Sequence, residues 1–194
     1  MIRLLTLLIL TCIPVTQTRA TVIVSVDSGE DENAVYAALL NEKYITFTTK
    51  SLLIMERTAA NPSLATELDR EDIMGMLSPV STSTVDAFKE HNRNPQSIEG
   101  RLDLKVKYSF LQDNDLDEFF KGDLNKGWDE FYKKYPDSTG YIRLSRVAFD
   151  PGRSEALVYV EHGCGPLCGT GCYILLSKLE KGWTVSKIAL LWVS

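Results

Sequence analysis

The chain has 194 residues, of which 44% are hydrophobic and 24% are charged. This composition is typical of a globular protein and excludes a collagen, a coiled coil and a wholly disordered chain. With 21 basic and 26 acidic residues the formal net charge is -5, which argues against a nucleic-acid partner because phosphate binding calls for a basic surface.

The first twenty residues are typical of a secretory signal peptide. Arg3 precedes an apolar run that ends at Ile13, and a polar stretch follows up to Ala20. A lipobox that acylates Cys12 is the less favoured alternative, because the apolar run before it is short. We therefore expect export, cleavage after Ala20 and a single domain over residues 21–194. We expect no transmembrane segment, since a bilayer requires about 20 apolar residues.

The chain after the signal peptide predicts helices where apolar residues recur every three or four positions, and strands where they alternate. In chain order the predicted elements are a short strand or frayed end at 21–26, a helix at 32–42, a hairpin pair at 44–49 and 52–55, helices at 64–77 and 84–92, a strand at 102–111, and two short helices around 116–120 and 128–135. Ser83 and Asp86 resemble a capping box at the start of the helix that begins at Thr84.

In the last third of the chain, helical spacing gives way to apolar runs separated by turn residues. The runs cover residues 141–149, 155–161, 172–179 and 183–193, and Gly and Pro mark the joints between them. We predict an α+β fold in which N-terminal helices pack on a four-stranded antiparallel meander. Apolar residues occupy both odd and even positions of these strands, so other parts of the protein must cover both faces of the sheet. The sequence leaves open whether N-terminal segments, sheet curvature or a second subunit, as in a homodimer, covers the second face.

Three cysteines and one of the two histidines lie close together before the third strand of the meander, at His162, Cys164, Cys168 and Cys172. In an oxidising compartment the simplest prediction is a disulfide between Cys164 and Cys168, with Cys172 as a small buried apolar residue. A bond between Cys164 and Cys172 stays open, because spacing alone does not fix connectivity.

The same residues allow two alternatives. His162, Cys164, Cys168 and Cys172 offer the nitrogen and sulfur donors that zinc prefers, although their spacing does not match the usual paired knuckles. Cys164 or Cys168 could also be the reactive thiol of a thiol-dependent oxidoreductase or hydrolase, with His162 lowering the pKa of that thiol. We favour neither, and we expect no cofactor.

A cluster of aromatic residues at helical spacing is the candidate lining of a ligand pocket. Its members are Trp128, Tyr132 and Tyr135, next to Phe131 and Tyr141. Aromatic side chains at this spacing more often form hydrophobic core, so core is the favoured interpretation and a pocket is the alternative.

The motif C-G-x-L-C-G-x-G, from Cys164 to Gly171, resembles a hairpin of a family of uncharacterised secreted bacterial proteins. A preceding strand like 156–160 and a following turn with Gly182-Trp183 extend the resemblance. The resemblance implies a bacterial envelope or secreted location and favours pairing Cys164 with Cys168. The order of helices and strands is also similar to cystatin-like and nuclear-transport-factor-like folds. We expect a non-enzymatic binding or structural module whose partner is a protein or a small molecule.

Overall fold

The computed structural model describes residues 28–60 and 69–194. The described residues form five helices and a seven-stranded sheet, so the predicted α+β class is confirmed. The helices are α1 (Ser28–Lys43), α2 (Arg70–Leu77), α3 (Thr82–His91), α4 (Asp113–Phe120) and α5 (Leu124–Lys134). The strands are β1 (Ser51–Met55), β2 (Lys107–Leu111), β3 (Ser138–Leu144), β4 (Ala148–Phe149), β5 (Glu155–Gly165), β6 (Cys168–Leu179) and β7 (Gly182–Val193).

The sheet is open and larger than the four strands that the sequence predicts. Its order is β2-β1-β3-β5-β6-β7, and β4 pairs separately with β5. The pairings along β5, β6 and β7 are antiparallel, whereas β1 pairs in parallel with both of its neighbours. The two edges of the sheet are therefore the short strand β2 and the long strand β7.

Helices cover both faces of the sheet, which answers the question that the apolar pattern left open. On one face, here called the α1 face, Leu52 and Ile54 of β1 pack in a core with α1. On the opposite face, Leu53 and Met55 pack under α4 and α5, and α2 and α3 cover the rest of the central strands. Because strand side chains alternate between faces, an apolar run in β5 or β6 fills both cores.

Three local predictions are wrong. Residues 44–49 form no strand but a turn in which the hydroxyl and main-chain groups of Thr46 and Thr49 bond each other. Residues 102–106 have no regular structure, and the strand begins only at Lys107. The cap of α3 is Ser81, whose hydroxyl accepts the N–H of Thr84 at 3.1 Å, and not Ser83.

The predicted signal peptide, the strand or frayed end at 21–26 and the first part of the helix at 64–77 lie outside the described residues. None of the helices within residues 28–60 and 69–194 has the length and hydrophobicity needed to cross a membrane.

Candidate functional groove

The glycine-rich joint between the predicted strands 155–161 and 172–179 is a tight hairpin in the structure. β5 runs to Gly165 and β6 starts at Cys168, so only Pro166 and Leu167 form the turn. Cys164 is the extra residue of a bulge, and its sulfur lies at disulfide distance from that of Cys168, with their Cα atoms 5.0 Å apart. A disulfide that closes so short a loop fixes its shape.

Glycines of this hairpin leave room for aromatic rings from the flanking strands. Tyr141 of β3 lies opposite Gly163, and Trp192 of β7 lies opposite Gly171. A Cβ atom at Gly163 would approach the Tyr141 ring within 2.6 Å, and one at Gly171 would collide with the Trp192 indole. The two rings can therefore lie over the bare strand backbone only because these positions are glycine.

Trp192 is further fixed by a short chain of hydrogen bonds. Its indole Nε1 donates to the hydroxyl of Tyr159 at 3.0 Å, and that hydroxyl donates to the Glu161 carboxylate at 2.9 Å. Burial raises the pKa of Tyr159, and the nearby Glu161 charge raises it further. The Tyr159 hydroxyl therefore keeps its proton at neutral pH and holds the indole in place.

Helix α5 supplies the opposite wall. The Asp123 carboxylate caps its start by accepting the N–H of Lys126 at 3.0 Å. Trp128 then packs its ring against Tyr141 at a centroid distance of 6.0 Å with the two planes 5° apart, and against Tyr132 at 5.7 Å. This stacking joins helix α5 to strand β3.

Between α5 and the hairpin lies a groove of about 310 Å³, here called the aromatic groove. Its lining residues are Phe120, Leu124, Trp128, Tyr141, Gly163, Gly165, Pro166, Cys168, Gly169, Trp192 and Ser194. No Asp, Glu, Lys, Arg or His side chain belongs to this lining. Leu124 stands at its rim with 53% of its surface exposed. The groove offers apolar and aromatic surface together with strand backbone.

Three other cavities within the described residues have charged linings. One beside α1 is lined by Glu32 and Arg146, which form an ion pair. Another is lined by Glu99 and Arg101, and a third lies at the start of α2. Of these four cavities, the aromatic groove is the one without a charged side chain in its lining.

The predicted pocket residues occupy three different places. Trp128 is 8% exposed and lines the aromatic groove. Tyr132 lies behind it, where its hydroxyl donates to the carbonyl of Cys164 at 2.9 Å and partial burial raises its pKa. Tyr135 ends α5 and packs on Phe119 and Phe131, away from the groove.

The residues of the predicted zinc and thiol alternatives have other partners in the structure, and the sulfur of Cys164 lies against that of Cys168. His162 bonds the carbonyl of Thr139 through Nε2 at 2.8 Å. Cys172 is buried in the α1-face core, 4.0 Å from the Tyr44 hydroxyl, and burial raises the pKa of its thiol. Among the described residues, no three His, Cys, Asp or Glu side chains lie together as a metal site.

Sequence reasoning missed the groove residues that come from distant parts of the chain. Phe120, Leu124 and Trp192 lie in segments that show no joint pattern. The available signal is the glycine spacing at 163, 165, 169 and 171, since glycines inside a strand mark a close approach by another group.

Comparison with protein-family models, with curated proteins and with solved structures finds no match for this chain. Its function is therefore inferred from its own residues and their arrangement.

Proposed function

We propose that this protein is an exported, non-enzymatic binding module that holds an apolar or aromatic ligand in the aromatic groove. The observation that carries the proposal is a mainly aromatic and apolar lining that includes two tryptophans and contains no Asp, Glu, Lys, Arg or His side chain. General acid–base catalysis most often uses a His, Asp, Glu or Lys side chain, and a hydroxyl nucleophile needs an adjacent base. Ligand pockets, in contrast, are mainly hydrophobic and aromatic.

The rigid walls of the groove support binding. The paired Cys164 and Cys168 fix the hairpin, and the bond from Tyr132 to the Cys164 carbonyl ties the hairpin to α5. A site whose walls are already ordered loses less conformational entropy when a ligand enters.

Export remains part of the proposal. It is supported by the pattern of residues 1–20 and by cysteines placed as a disulfide would place them, which is typical of an oxidising compartment. We also propose that the fold is cystatin-like or nuclear-transport-factor-like, a similarity of fold that does not fix function.

The intact mass of the protein recovered after export tests this location. We expect a chain that begins at Thr21 and weighs two hydrogens less than its fully reduced form, with no change after a chelator is added. A chain that keeps residues 1–20, or a reduced chain with a bound metal, would contradict the export proposal or the disulfide, respectively.

Titration with the uncharged fluorescent probe N-phenyl-1-naphthylamine tests the groove. We expect saturable binding that Leu124→Glu weakens about tenfold, because a carboxylate at the rim must lose water when the probe binds. Leu179→Glu is the matched control, since Leu179 is similarly exposed at 60% but lies at the other end of β6. Equal binding by wild type and Leu124→Glu would refute the groove as the site.

A further inference from the structure

Among the strands that the structure describes, β7 is the long edge of the sheet. The hydrogen bonds identify which of its main-chain groups point away from β6. The N–H of Val185 points away from β6, because it donates to the Glu42 carboxylate of α1 at 3.1 Å. Val185 pairs with Leu176 of β6. In an antiparallel pair, every second residue of a strand directs its N–H and C=O to the same side.

The same alternation identifies two further residues of β7 whose main-chain groups point away from β6. Ile174 and Cys172 follow Leu176 at every second position of β6, and their partners on β7 are Ile188 and Leu190. The main-chain groups of Ile188 and Leu190 therefore point outward as well. Within residues 28–60 and 69–194, no residue bonds these outward groups.

The opposite end of β7 gives the same assignment independently. Gly169 and Ser194 exchange both of their hydrogen bonds, at 3.0 and 3.3 Å, so Ser194 points inward. Its neighbour Val193 then points outward. The bulge at Leu191, between Leu190 and Trp192, keeps the alternation of β7 in step with that of β6.

The side chains of these outward residues are apolar and exposed. Ile188 is 46% exposed and Leu190 is 61% exposed, and both stand on the α1 face of the edge. Soluble proteins usually protect a free edge with charge, proline or a covering element. Glu42 covers only the Val185 end of this edge.

We propose that the segment Lys187–Leu191 of β7 pairs antiparallel with the same segment of a second copy of the chain, on a two-fold axis at Ala189. This register places Ile188 of each copy opposite Leu190 of its partner, and each such pair exchanges both main-chain hydrogen bonds. The four apolar side chains then cover one another. The proposal does not depend on the aromatic groove.

Two observations favour a second copy as the partner. The bulges near Ser186 and Leu191 limit regular pairing to this short segment, which is symmetric about Ala189. The segment carries one charge, Lys187, whose ammonium already donates to the Ser78 carbonyl at 2.6 Å. Self-pairing therefore brings no free like charges together at the contact.

Light scattering after size-exclusion chromatography across a wide range of protein concentration tests the dimer. We expect twice the monomer mass at high concentration and dissociation on dilution. Leu190→Lys should raise the dissociation constant at least tenfold, because each copy loses apolar burial and gains a charge at the contact. Phe110→Lys, on the other edge strand β2, is the matched control and should not change it.

Disulfide trapping tests the register. Across the proposed axis, the two Ala189 Cα atoms lie about 4.5 Å apart, which is within disulfide reach. Ala189→Cys should give a covalent dimer under mild oxidation, whereas Thr184→Cys, on the same strand outside the paired segment, should not.

A protein that stays monomeric at every concentration would overturn the proposal, and this is also the result expected if the edge binds a strand of another protein. A dimer that resists Leu190→Lys would overturn it too, because it would use a different surface. Circular dichroism of each variant checks that the fold is unchanged.

Discussion

Asp150 shows how a single side chain organises the turn between β4 and β5. Its carboxylate accepts the main-chain N–H groups of Gly152, Ser154 and Glu155 at 3.0, 2.7 and 2.6 Å. Slight burial raises the pKa of Asp150, but the three hydrogen bonds together lower it by more. The pKa of this carboxyl therefore lies below that of an ordinary Asp. Asp commonly bonds the backbone of its own turn in this way.

The lowered pKa of Asp150 predicts a pH dependence of stability. A carboxyl with a lower pKa in the folded state contributes stability above its unfolded pKa of about 3.9 and loses it as the pH falls through the folded pKa. Urea unfolding should show wild type more stable than Asp150→Asn at neutral pH, with the difference shrinking below about pH 5. A difference that stays constant down to strongly acid pH would contradict this assignment.

At the scale of elements, the β5–β6 hairpin depends on a covalent link and on glycines. The bulge at Cys164 and the turn at Pro166 and Leu167 place Cys164 close to Cys168. The glycines opposite Tyr141 and Trp192 let two aromatic rings pack flat on the strands. The hairpin thereby joins β3 and β7 into one wall of the aromatic groove.

Removal of the disulfide should destabilise the protein moderately. For a loop of five residues, the chain-entropy model gives about 2 kcal/mol. We expect the double variant Cys164→Ser with Cys168→Ser to lose about this free energy of unfolding in urea. Wild type in a reductant should match the double variant.

Cys172 is the internal control for thiol labelling, because it is the free cysteine among the described residues. Its side chain is buried and its thiol pKa is raised, so native wild type should react slowly with iodoacetamide at neutral pH. Rapid labelling of Cys164 or Cys168 in native wild type would contradict the disulfide and revive the thiol-dependent alternative.

At the scale of the whole molecule, one sheet is shared by cores on its two faces. Leu39 of α1 is fully buried on the α1 face, and Ile73 of α2 is fully buried on the opposite face. The strands β5 and β6 contribute side chains to both cores. Unfolding of one core would therefore also expose the strands on which the other core packs.

This arrangement predicts a single cooperative unfolding transition and additive effects across the sheet. Leu39→Ala should cost about 2–5 kcal/mol and Ile73→Val about 0.5–1.5 kcal/mol. Because the two side chains belong to separate clusters, the double variant should lose their sum within about 0.5 kcal/mol. Calorimetry that resolves two transitions would instead indicate two domains and contradict the single-domain prediction.

The sequence by itself predicted the α+β class, the helix around residues 32–42 and the approximate places of the C-terminal strands. These features depend on local chemistry, because apolar spacing follows helix or strand geometry and Gly or Pro interrupts it. It also singled out Trp128 and the pair Cys164 and Cys168. Those residues stand out by type and spacing without knowledge of the fold.

Only the tertiary structure decided which segments meet. The parallel position of β1 between β2 and β3, the helices on both faces and the joining of Leu124 with Trp192 in one groove all involve residues far apart in the chain. Residues 44–49 are rich in strand-forming residue types, but among the described residues they pair with no strand and form a turn. The physical reason is that strand pairing and burial depend on the partner that supplies the hydrogen bonds and apolar contacts, and a local pattern does not specify that partner.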